Sequence, residues 1–120
     1  MQIHHVQLAA PEGSEEAARG FFVGVLRMIE EPKPPALRAG GGCWFRREGC
    51  SIHVGIDPSF RPQKKAHPAF LVDDLQDLAS RLEGAGHGIE WDARIPGTER
   101  FYTEDPFGNR LEFMGVPEEA

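Results

Sequence analysis

Four side chains able to bind a transition metal fall at matching places along the chain: His5 and His53 in its first half, His67 and Glu112 in its second. Imidazole nitrogen and carboxylate oxygen together suit a divalent ion. Two histidines and one carboxylate with open coordination positions are the arrangement associated with non-haem Fe(II) chemistry, and the same set accepts Mn, Ni or Zn. Such an ion polarises substrate oxygens or activates water or O2.

The elements that must position these residues form an internal repeat. "IHHVQLAA" (3–10) alternates as a strand, with Val6, Leu8 and Ala10 on one face and His5, Gln7 and Ala9 on the other. Ser14 is expected to cap a helix whose apolar positions Ala18, Phe21/Phe22, Val25 and Ile29 recur at helical spacing, stopped by "EPKPP". "CWFRREGCSIHVGI" (43–56) reads as a hairpin turning at Glu48-Gly49, which sets Trp44 opposite His53, Cys43 opposite Val54 and Cys50 opposite Arg47. That register argues against a disulfide and for two free thiols. Residues 57–66, "DPSFRPQKKA", form a polar linker in which Lys64 and Lys65 are read as solvated. The pattern then restarts. "HPAFLVDD" is a strand, Asp73 or Asp74 caps a helix with the stripe Leu75, Leu78, Ala79 and Leu82, and "IEWDARI", "ERFYTE" and "NRLEFMG" are three strand candidates.

Registering His5 on His67 brings the apolar faces of the two opening strands into agreement, and registering Gly49 on Gly108 sets Ile52 on Leu111, Val54 on Phe113 and His53 on Glu112. All four donors then point away from the face that receives a helix. Gln7, Ala69, Leu71 and Met114 share faces with them, and Trp44 joins through the hairpin, giving a candidate substrate pocket. Arg100 and Tyr102 share a face of the penultimate strand, placed either to hold a substrate anion or to support the following turn. His4, of opposite parity, and His87, in a helix-ending loop, are read as non-ligands. Asp105, Gly108 and Asn109 are read as turn chemistry.

The "HHVQLA" opening, "HPAFLVDDLQDLASRLEGAG" and the "FYTEDPFGNRLEF" ending, on paired strand–helix–three-strand modules, resemble the vicinal oxygen chelate superfamily of glyoxalase I, bleomycin-resistance proteins, fosfomycin-resistance enzymes and extradiol dioxygenases. The resemblance implies an α+β fold of two paired βαβββ modules in a curved mixed sheet with helices outside: module 1 at about 3–56, linker 57–66, module 2 at about 67–115, all one domain over 1–120. It implies metal ligands at His5, His67 and Glu112. His53 takes the fourth position and stays open between ligand, catalytic base and polar pocket group, because glyoxalase I usually has a carboxylate there. It further implies a small-molecule substrate, a homodimer whose sites can combine both subunits, and Glu112 and His53 as catalytic residues of a glyoxalase-like lyase or isomerase. An extradiol-type dioxygenase and a metal-free drug- or metabolite-binding protein are the alternatives.

Composition agrees with these expectations. A net charge of −6 argues against nucleic acid and anionic lipid as partners. No apolar run approaches the roughly 20 residues of a membrane span, and the N-terminus lacks the pattern of a secretory signal, so a cytoplasmic protein is expected. The tail after Glu112, "FMGVPEEA", carries no cation of the kind that holds a phosphonate.

Overall fold

A computed structural model of the chain describes residues 1–116, and the last part of the cation-free tail lies outside them. The chain divides into two compact units, Met1–Pro62 and Gln63–Ala120, and each is an α+β module built on a four-stranded mixed sheet.

In the first unit, strands β1 (Val6–Ala10), β2 (Ile29–Glu31), β3 (Cys43–Arg47) and β4 (Cys50–Ile56) form a sheet of order β1-β4-β3-β2, in which β1 runs parallel to β4. Leu8, Ala10, Phe45, Ile52 and Val54 are buried on one face with Ala18, Phe21 and Phe22. Phe22 and Phe45 stack with ring centroids 5.1 Å apart, at the middle of a core where each such ring contributes about 1.5–3 kcal/mol.

The connection before β2 departs from the expected helix. The α-helical part, α1 (Glu15–Arg19), passes into a wider π-type turn over Gly20–Val25, in which Leu26 N donates to Phe21 O at 2.9 Å. The wider turn leaves both Phe21 and Phe22 buried. Ile29, read as a helix position, instead opens β2 and is 58% exposed. Ser14 stands at the N-cap, but among the described residues its buried hydroxyl has no hydrogen-bond partner. Gly42, at φ 87°, enters β3 so close to β4 that a Cβ there would lie 2.2 Å from Val54 O. Only glycine fits at that position.

The second unit repeats the plan. Strands β5 (Ala69–Val72), β6 (Glu90–Trp91), β7 (Arg100–Glu104) and β8 (Arg110–Gly115) form a sheet of order β5-β8-β7-β6 with β5 parallel to β8. Helix α2 (Leu75–Gly84) starts at Asp74, whose side chain accepts from Asp77 N at 3.0 Å. It buries the expected stripe Leu75, Leu78, Ala79 and Leu82, in a unit whose buried strand residues include Phe101, Leu111 and Phe113.

The end of the linker is bonded into this unit. Gln63 O accepts from Arg110 N at 2.8 Å and Gln63 N donates to Asn109 Oδ1 at 3.0 Å. Lys64, expected to be solvated, donates through Nζ to Glu104 Oε1 at 2.9 Å and to Gly108 O at 2.7 Å. The turn residues behave as read. Asp105 Oδ1 accepts from Phe107 N and Asn109 N, both at 2.9 Å, Asp105 Oδ2 accepts from Asn109 Nδ2 at 2.8 Å, and Gly108 takes φ 90°.

Candidate metal and substrate site

In the first unit the hairpin register is the expected one: Trp44 faces His53, Cys43 faces Val54 and Arg47 faces Cys50. Gln7 is the partner of His53 on the other side. Both cysteines are free, and burial pushes each thiol above its ordinary pKa. His53 is buried in a three-ring stack, with Trp44 at 4.1 Å and 6° between planes and His5 at 3.9 Å and 15°. Burial, then the neighbouring His5, holds its pKa below the ordinary histidine value, so it is a neutral imidazole at pH 7.

Stacking also limits coordination. Imidazole lone pairs lie in the ring plane, and two nearly parallel rings cannot both aim them at one ion unless a ring turns. His4, a non-ligand by parity, supports His5 instead, with the two Nδ1 atoms 3.0 Å apart and one of them the donor.

In the second unit His67 lies just ahead of β5 and Glu112 in the middle of β8. His67 Nε2 is 2.9 Å from Glu112 Oε1, and His67 Nδ1 is 2.8 Å from Lys65 O. A carbonyl only accepts, so Nδ1 carries the hydrogen, and in a neutral ring Nε2 is a bare lone pair. Two acceptors therefore face each other across 2.9 Å, and a proton or a metal cation must sit between them. The separation also suits two neighbouring ligands of a single ion, since donors about 2.1 Å from a metal and at right angles to each other are about 3 Å apart. The backbone carbonyl behind His67 is the usual device for orienting a metal-binding imidazole.

The other carboxylate oxygen, Glu112 Oε2, accepts from Arg100 Nη1 at 3.0 Å, and Arg100 Nη2 lies 3.3 Å from Asp92 Oδ2. Asp92 is held in turn by Arg94, whose Nε donates at 2.8 Å. Burial works to raise the Glu112 carboxyl, but His67 and Arg100 outweigh it and hold the group below the usual carboxylate range. Tyr102, the cross-strand partner of Glu112, meets the His67 ring edge-on at 5.5 Å.

Each unit thus assembles part of the expected set: His5, His53, Trp44 and Gln7 in the first, and His67, Glu112, Arg100 and Tyr102 in the second. Leu71 is 64% exposed, and Met114 is half-buried as its neighbour across β5 and β8. Among the described residues no group of three or more His, Cys, Asp or Glu is arranged to hold a metal ion. Arg100 bridges Glu112 and Asp92 across the sheet face it shares with Tyr102. Sequence reasoning missed Asp92 and the Lys65 carbonyl. Asp92 and the Lys65 carbonyl act through contacts that no periodicity encodes.

Comparison with solved structures agrees with the module repeat. A protein from Bacillus anthracis assigned to the glyoxalase family is 45% identical, with a TM-score of 0.92 over 96% of this chain and 94% of its own. A mutant of the fosfomycin resistance protein FosX from Listeria monocytogenes, complexed with Mn(II) and 1S,2S-dihydroxypropylphosphonic acid, is 15% identical with a TM-score of 0.79 over 95% of this chain and 91% of its own. TnmS3, an antibiotic binding protein from Streptomyces sp. CB03234, is 21% identical with a TM-score of 0.73 over 98% and 99%. At those identities the last two are similar in fold alone. No protein-family model and no curated protein matches the chain.

Proposed function

We propose that this chain, which belongs to the vicinal oxygen chelate superfamily of glyoxalases and fosfomycin resistance proteins, is a small metal-dependent enzyme of glyoxalase-like lyase or isomerase type acting on an oxygen-rich metabolite. The observation that carries this reading is the opposition of His67 Nε2 and Glu112 Oε1 at 2.9 Å, with the imidazole hydrogen already committed to Lys65 O. That separation suits two ligands of one divalent ion. His5 is the third ligand, with the protein a homodimer whose sites can combine residues of both subunits.

His67, Glu112 and His5 would hold a divalent Fe, Mn, Ni or Zn ion, which would supply Lewis acidity to substrate oxygens. The protein's own groups do the rest. Arg100 occupies Oε2 of Glu112 and leaves Oε1 as its donor atom. His53, kept neutral in its stack, accepts a proton, and Gln7, Trp44, Leu71, Tyr102 and Met114 line the pocket.

Metal analysis of protein purified without a histidine tag tests the reading. The parent is expected to bind one divalent ion per site, and the His5→Ala and Glu112→Ala variants to lose it. Unchanged stoichiometric binding in both variants overturns the ligand set. A second reading has its own support: Arg100 already compensates the Glu112 charge without a metal, as suits a metal-free protein that binds a drug or metabolite. A parent protein that binds no divalent ion favours this alternative.

A further inference from the structure

We propose that Arg110 anchors a carboxylate on the substrate, so that the substrate class is a small acid whose chelating oxygens lie a few bonds from its carboxylate. The inference rests on the metal-chelating reading of Glu112 given above. Arg110 and Glu112 are two residues apart in β8, so their side chains leave the same face of the sheet with Cα atoms roughly 7 Å apart. The Arg110 guanidinium lies 3.9 Å from the centroid of the Tyr102 ring, and Tyr102 in turn meets His67. One aromatic ring therefore joins the cation to the imidazole of the metal pair.

The acids that would ordinarily neutralise this arginine are engaged elsewhere. Glu104, its cross-strand partner, is held by Lys64 at 2.9 Å. Glu112 is held by Arg100 and His67, and Asp105 by its own turn. Among the described residues the Arg110 guanidinium makes no hydrogen bond or ion pair, and it lies over the Tyr102 ring. It is half-buried and opens into a groove of about 710 Å³ whose other charged lining includes Lys64, Glu104 and Glu90. Glu90 faces Tyr102 from β6, two strand spacings or roughly 10 Å from β8, and among the described residues it forms no ion pair with Arg110. A guanidinium held over a ring still has N–H groups for a planar partner, and a carboxylate matches that fork with two parallel hydrogen bonds.

Two probes that differ only at the far end separate this proposal from the reading it rests on. Butyrohydroxamate and succinate monohydroxamate both chelate a metal through their hydroxamate oxygens, but only the second carries a carboxylate. Calorimetric titration of the Mn2+-loaded full chain is expected to show the succinate probe binding at least about tenfold tighter. Arg110→Met, which keeps the apolar stem on Tyr102, is expected to erase the preference while Mn2+ and butyrohydroxamate bind as in the parent. Arg110→Lys is expected to retain only part of it. A protein that binds Mn2+ and both probes without preference, or a preference that survives Arg110→Met, overturns the role of Arg110 and leaves the metal site standing. A protein that binds no Mn2+ overturns both, because the substrate class is defined by the reach from ion to arginine.

Discussion

Replacing Asn109 with alanine removes at least two side-chain hydrogen bonds from the turn that aims β8. Asn109 is 2% exposed, its Nδ2 donates to Asp105 Oδ2 at 2.8 Å, and its Oδ1 accepts from Gln63 N at 3.0 Å. The first is charge-assisted and worth about 1.5–3 kcal/mol, whereas the second involves an exposed residue that water can satisfy, worth about 0.5–1 kcal/mol. Asp105 keeps the backbone donors Phe107 N and Asn109 N, so its carboxylate is not left bare. The expected loss is about 2–4 kcal/mol, or roughly 6–16 °C in Tm for a chain of this length. Urea unfolding followed by tryptophan fluorescence measures it, with the calorimetric titration of Mn2+ run beside it. A loss under about 1 kcal/mol refutes the hydrogen-bond reasoning, and a fully folded variant that has lost Mn2+ binding refutes the assignment of Asn109 to the turn.

Other expectations follow from the same geometry. Gly42→Ala places a Cβ against Val54 O at a positive φ and is expected to cost about 3–5 kcal/mol, whereas Gly24→Ala, with open space around it, stays within about 1 kcal/mol of the parent; equal unfolding midpoints for the two contradict this. Glu112 has a folded pKa below its unfolded one, so in metal-free protein its contribution is complete above the ordinary carboxylate pKa and is lost as pH falls through the folded value. Glu112→Gln should therefore flatten the acid limb of a plot of Tm against pH, and an unchanged limb argues against it. His53 has its pKa lowered, so its protonation favours the unfolded chain and stability falls as pH drops below the ordinary histidine value; His53→Phe is expected to remove that slope. Mixing His5→Ala with Glu112→Ala subunits should restore one metal site per mixed dimer, and a mixture with no more sites than either variant alone excludes shared sites.

Most of what positions the site is local and was therefore readable. The two-residue turn at Glu48-Gly49 fixes the hairpin register, and with it the placement of Trp44 over His53 and the separation of Cys43 from Cys50. The α2 stripe is a plain helical period, and the alternation around Glu112 sends Leu111 and Phe113 into the core and the acid to the opposite face. Ile29 was misplaced because an apolar residue at helical spacing continued a pattern that the π-type turn had already broken. The electrostatic surroundings of Glu112 were not legible. Arg100 stood on the right face, but the shared hold on it by Glu112 and Asp92 depends on where a long side chain ends, and the Lys65 carbonyl that sets the His67 tautomer is a backbone group identical in every sequence.

The linker has a division of labour that its composition hides. Residues 63 to 65 give the second module a β8 partner in Gln63, a counter-ion for Glu104 in Lys64 and the carbonyl that orients His67 in Lys65. A boundary drawn where the strand pattern restarts, at His67, would cut away the atoms that tell that histidine which nitrogen to offer. Anyone grafting this half onto another scaffold, permuting the chain or shortening the connection has residues 57–62 to work with, and should treat Gln63 as the true first residue of the second module.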